Sequence, residues 1–133
     1  MALGKIKADT LEHSTAGTVD TQFVVNGSAK VSGSASMSGT AAIFSGSLNT
    51  SSLTDNGTGD GTVTFTNSFS NTTHAYQFNG KYDDAADNDD VPNIAHYRQA
   101  TSASNVRFVL QVPSSNAAHD GNSVTFTVHG DLA

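Results

Sequence analysis

Hydrophobic residues recur at every second position in several stretches of this chain, the spacing of half-buried strands. Val63, Phe65 and Phe69 share one face, with Thr62, Thr64, Thr66 and Ser68 on the other. His74, Tyr76, Phe78 and Tyr82 repeat the pattern, as do Val106, Phe108, Leu110 and Val112. Near the C-terminus, Val124, Phe126 and Val128 alternate with Thr125, Thr127 and His129. Earlier in the chain, Val19, Thr21, Phe23 and Val25 alternate with Asp20, Gln22 and Val24, which predicts a strand. Asn26-Gly27-Ser28 then reads as a tight hairpin turn.

The segment "SAKVSGSASMSGTAAIFSGS" is small and polar, with Gly33, Gly39 and Gly46 at loose intervals. It reads either as a flexible linker or as strands whose small side chains allow close packing. Alternation through Ala35, Met37, Gly39, Ala41 and Ile43 favours strand, with a weak one at Ala41 and Ile43 leading to Leu48. The one helix signal is a turn within Asn93–Ser102, where strand competes. The pattern predicts an all-β chain in two parts. Residues 1–50 form an N-terminal extended arm with a small-residue strand region. Residues 51–133 form a small antiparallel β-sandwich head of jelly-roll-like character.

Composition changes this picture in one respect. Of 133 residues only 36% are hydrophobic, many of them Ala and Val, and there is no Trp. So little core per residue predicts a chain that borrows core from copies of itself. Formal net charge is −6, and Lys and Arg never cluster, so a nucleic-acid partner is not expected. The absence of cysteine excludes disulfides, zinc–thiolate sites and thiol catalysis. "MALGKIKADTLEH" has no apolar core of signal-peptide length, and no run approaches a membrane span, so neither classical secretion nor membrane insertion is expected.

Three motifs invite chemistry. "NGTGDG", at Asn56–Gly61, has the glycines of a phosphate loop but no Lys, and it leads into a strand rather than a helix. Asp55, Asn56 and Asp60 are hard oxygen ligands, but the bidentate Glu of a calcium loop and the repeats of a calcium roll are missing. A turn, where Gly and Asn accept left-handed backbone, explains the stretch better. The second motif, "YDDAADNDDVPN", crowds Asp83, Asp84, Asp87, Asp89 and Asp90 together. Such carboxylates must be solvated, neutralised by a cation, or faced by a basic partner. An exposed contact loop is expected, with a structural calcium as the alternative and no other cofactor. Third, the histidines show no H-E-x-x-H spacing, and no G-x-S-x-G elbow supports a triad. No enzyme is expected. The sequons at Asn26, Asn49, Asn56 and Asn71 follow from composition.

Two segments carry a resemblance. "KIKADTLEHSTAGTVDTQFVVNGSAK", Lys5 to Lys30, and "SSLTDNGTGD" followed by "TVTFT", within Ser51 to Thr66, resemble short tail-fibre-like structural proteins of marine tailed bacteriophages. The closing strand near "GDL" matches as well. Where that family carries an aromatic-rich stretch, this chain has "VSGSASMSGTAAIFSGS". The resemblance implies a non-enzymatic virion protein on the particle exterior, assembled in the host cytoplasm. It would be a homotrimer serving as a capsid decoration or cement protein, or as a short tail or head fibre. Attachment to the major capsid protein or to tail proteins would use the arm, through Leu3, Ile6, Leu11, Val19, Phe23 and Val25. The alternative is a tail-tip receptor-binding protein whose C-terminal loops, including Asp83–Asp90, recognise a host-surface glycan.

Overall fold

The computed structural model describes residues 8–15, 17–83, 90–97, 102–112 and 115–133. The protein is all-β apart from one two-turn helix among the described residues, and its strands pair antiparallel throughout. β1 (Thr10–His13) and β2 (Gly17–Asp20) form a separate ribbon, and α1 (Thr21–Gly27) follows. The remaining strands are β3 (Ala29–Ser36), β4 (Ala42–Ile43), β5 (Thr50–Gly57), β6 (Asp60–Phe65), β7 (Ala75–Asp83), β8 (Asp90–Tyr97), β9 (Asn105–Gln111) and β10 (Ser123–His129). They line up in the order β4-β3-β10-β7-β8-β9-β6-β5.

The order nearly closes on itself. After β4 the chain keeps running beside β3: the Phe44 amide donates to Ser34 O at 2.8 Å, and Leu48 bridges to Ser32. The next strand, β5, lies at the opposite end of the order. The sheet is thus curled, and its inner faces meet around one core. β3 supplies Val31 and Ala35; β10 supplies Val124, Phe126 and Val128; β9 supplies Val106, Phe108 and Leu110; β6 supplies Val63 and Phe65. Each set falls on alternate positions of its strand, Gly33 taking the position between Val31 and Ala35, because side chains two apart on a strand share a face. Phe78 of β7 joins from the margin, its ring 5.0 Å from Phe108 and 6.0 Å from Phe126. Met37, just past β3, is buried too.

Four expectations from the sequence meet the structure here. The strands expected around Val63, Phe78, Phe108 and Phe126 are present, and their inward residues form this core. The small-residue segment resolves toward strand: β3 sits between β4 and β10 inside the main sheet, so residue 50 falls within a continuous sheet rather than beside it. The helical turn considered for Asn93–Ser102 is not formed over Asn93–Tyr97, which belong to β8. Asn93 pairs with β7 and Ile94–Tyr97 pair with β9, which supplies more hydrogen bonds than one isolated turn can.

The strand expected over Val19–Val25 is the clear correction. β2 stops at Asp20 and the chain turns helical to Gly27. Thr21 explains the break, because its amide donates to Asp9 O at 2.8 Å and its hydroxyl to Ala8 O at 2.7 Å. Those bonds close the ribbon at the Thr10–Asp20 pair and direct the chain away from it. Asn26-Gly27-Ser28 therefore ends a helix rather than turning a hairpin, and the Ser28 amide donates to Val24 O at 3.1 Å.

Candidate interaction surfaces

Among the described side chains of the ribbon and α1, none is buried. Leu11 and Val19 stand directly opposite each other in the ribbon, yet they remain 47% and 41% exposed. Val24 and Val25 of α1 are exposed as well, Val25 at 55%. An isolated two-stranded ribbon is marginal in water, and a seven-residue helix without a side-chain cap adds little. The module is tied to the sheet by polar contacts. His129 Nδ1 lies 3.0 Å from Gly27 O, and Lys30 Nζ donates to Val25 O and to the Ser28 hydroxyl. Of the residues expected to contact a partner, Leu11, Val19 and Val25 are thus on the surface. Phe23 lies in α1, while Leu3 and Ile6 fall outside the described residues. Val24 was missed, because strand alternation placed it on the opposite face from Val25.

The glycine-rich stretch is a hairpin tip. β5 runs to Gly57 and β6 starts at Asp60, so Thr58 and Gly59 make the turn. Gly57 and Gly59 take positive φ, 129° and 67°. The Gly57 amide bonds Asp55 Oδ1 at 2.8 Å, and the Gly59 amide bonds Asp120 Oδ1 at 2.6 Å. The expected turn is present, but Asp60 plays a part the sequence reading missed. It is only 6% exposed, and Arg107 grips it with two bonds of 2.7 Å, Nε to Oδ1 and Nη2 to Oδ2. Asn56 also donates to Asp60, at 3.4 Å, and to the Thr62 hydroxyl at 2.8 Å. The bond to Asp60 raises the guanidinium pKa further, so the pair stays ionised. The lone Arg inside the apolar run "NVRFVLQV" was the available signal; Arg107 itself stays 34% exposed, and it is the buried Asp60 carboxylate that needs the partner. The pair is a structural clamp holding β6 to β9.

The acidic loop is framed but not placed. Asp83 closes β7 opposite Asp90, which opens β8, whereas Asp84, Asp87 and Asp89 fall outside the described residues. Among the described residues no three His, Asp or Glu converge as metal ligands, and no helix is long and apolar enough to cross a membrane.

A third surface has no counterpart in the sequence reading. On the outer face of β3, β10 and β7 an open groove of about 400 Å³ is lined by the hydroxyl and amide side chains of Ser32, Thr125, Thr127, Gln77 and Asn79, with Gly33 and Phe126. Ser32, Thr127 and Gln77 are directly opposite one another across these strands, as are Ser34, Thr125 and Asn79. Register between strands far apart in sequence creates this surface, and strand pairing order is not encoded locally. No family model, curated protein or solved structure matches the chain.

Proposed function

We propose that this chain is a non-enzymatic structural protein of a bacteriophage virion exterior. It acts as a capsid decoration or short fibre protein that attaches through its N-terminal module and assembles as a homotrimer. The observation that carries the reading is the unburied apolar face of Leu11, Val19, Val24 and Val25. A ribbon and short helix whose described apolar side chains stay this exposed in one copy gain order by packing against something else. The sheet needs no such help, since its buried hydrophobic residues all lie between Val31 and Val128. An attachment module joined to a self-sufficient body suits a protein that decorates a larger assembly. The resemblance of Lys5–Lys30 and Ser51–Thr66 to tail-fibre-like proteins points the same way.

Immunogold labelling of the parent particle, with add-back of purified protein to particles lacking it, tests the proposal. The native chain should label the particle surface and rebind. A Leu11→Asp/Val19→Asp double variant should keep a folded sheet yet fail to rebind. Rebinding equal to that of the native chain would remove the module from the attachment role, and an unlabelled particle would remove the virion assignment.

A further inference from the structure

The groove over β3, β10 and β7 has a chemistry of its own. Its two cross-strand rows, Ser34–Thr125–Asn79 and Ser32–Thr127–Gln77, point away from the core residues Val124, Phe126 and Val128. They are two residues apart along each strand, about 7 Å. Phe44 extends the first row through its backbone bond to Ser34, and Leu48 extends the second through its bridge to Ser32. Both are exposed, at 44% and 54%. Each row therefore passes from an apolar side chain through two hydroxyls to an amide.

These polar groups are free. Several Asn side chains elsewhere are committed to the fold: Asn49 to Asn67, Asn56 to Thr62, Asn71 to the Thr73 amide. Among the described residues, the side chains of Ser32, Gln77, Asn79 and Thr127 make no hydrogen bond. The Thr125 hydroxyl makes one long bond, 3.5 Å to Asn79 O. No ionisable side chain lines the groove, in a chain of net charge −6.

We propose that this groove binds a neutral carbohydrate. Amides that both donate and accept, beside hydroxyls that do the same, match the adjacent hydroxyls of an uncharged sugar. Exposed Phe44 and Leu48 offer an apolar wall for the C–H face of the ring. The volume lies at the low end of small-ligand sites. The occupant's class follows from what is missing. Within the lining an anionic glycan or phosphate finds no cation, Lys81 lying one row beyond Asn79 opposite Ser123, and a basic peptide finds no carboxylate. An extended peptide finds no strand edge here, because β10 is paired on both sides. None of the residues lining the groove belongs to Asp83–Asp90 or to the ribbon and α1.

The test is binding of the full chain to an array of neutral and anionic glycans, followed by calorimetry on the best neutral hit. Open, wet sites bind weakly, so a dissociation constant between about 1 µM and 1 mM is expected. Gln77→Ala/Asn79→Ala and, separately, Phe44→Ala should each weaken binding at least tenfold without moving the melting temperature. Thr127→Val, which keeps the shape and removes the hydroxyl, gives a second check on the groove. A chain carrying Asp84→Asn and Asp87→Asn should bind normally. The proposal is overturned if no neutral glycan binds, if only anionic glycans bind, or if binding survives the groove variants and is lost with the loop variant.

Discussion

Asn, Asp and Gly in this chain act mainly as backbone chemistry. Asn49 has φ 54°, and its side chain pairs with Asn67 much as a peptide group would: Oδ1 accepts the Asn67 amide at 2.7 Å and Nδ2 donates to Asn67 O at 3.1 Å. The sequon there serves the fold. Gly59 is more constrained than any turn rule implies, because an added Cβ would lie 2.7 Å from Leu110 O and 2.8 Å from the His119 amide, at φ 67°. Gly59→Ala should therefore lower stability by more than about 1 kcal/mol, read as a shift in the denaturation midpoint. No shift would mean the 117–121 segment yields easily. His74 is the other residue with a sharp consequence. Its ring stacks on Phe69 at 4.8 Å, stands edge-on to Phe65, and neither ring nitrogen has a hydrogen-bond partner. Burial lowers its pKa, with the Asn71 backbone acting in the opposite sense. The unfolded chain therefore binds the proton more readily than the folded one, and stability rises with pH across that interval. This contribution is complete above the ordinary histidine value of about 6.5 and is lost as pH falls toward the lowered value. His74→Phe should melt with less loss than the native protein between pH 7 and pH 5. Parallel melting curves for the two would show that His74 carries none of the acid sensitivity.

At the scale of elements, what was legible in the sequence divides by how each strand is buried. β6, β9 and β10 have one face in the core, so their apolar residues fall at every second position and mark both strand and face. β3 carries the same alternation, but in Ser, Ala and Gly. Gly33 has no room for a side chain, since a Cβ would meet Ser47 Oγ at 2.3 Å and Phe126 at 2.9 Å. Close packing chose those residues, and composition alone could not separate that from a linker. Thr21–Val25 was misread as the continuation of a strand because alternation is informative only when a core selects it, and the described apolar side chains there, Val24 and Val25, are exposed. The Asp60–Arg107 clamp and the polar groove stayed invisible for a different reason. Both join residues dozens of positions apart through the β6–β9 and β3–β10–β7 pairings, which no local pattern specifies. Two measurements follow. Phe108→Ala, fully buried between the two sides of the curled sheet, should cost about 3–5 kcal/mol. A chain lacking residues 1–28 should unfold cooperatively within a few degrees of the intact protein, because among the described residues that segment contributes no buried hydrophobic side chain. A truncated chain that fails to fold would mean the module does more for the sheet than its exposure implies.

For the whole molecule the question is whether four half-exposed apolar side chains suffice to hold copies together. Fully burying an aliphatic side chain is worth about 1.5–3 kcal/mol. Leu11, Val19, Val24 and Val25 retain roughly half their exposure, so completing their burial yields roughly 3–6 kcal/mol per copy. Three copies together reach roughly 9–18 kcal/mol by the same measure, against an association cost of about 4–15 kcal/mol or more for each of the two steps that build a trimer. The balance is close. The proposed trimer should therefore be concentration-dependent near the micromolar range rather than permanent. Electrostatics sets the sign of a further effect. Each copy carries net charge −6, and Asp9, Glu12 and Asp20 sit in the associating module. Like charges gathered around one axis repel, and salt screens that repulsion at distances beyond about 10 Å at 0.1 M. Sedimentation velocity across a dilution series should show a monomer–trimer equilibrium that tightens as sodium chloride rises from 50 to 500 mM. Val25→Asp, which adds both a buried charge and more repulsion, should leave monomers at every concentration with the sheet's melting temperature unchanged. A native chain that stays monomeric at 100 µM in high salt would remove the trimer and leave the N-terminal face to a different protein of the particle.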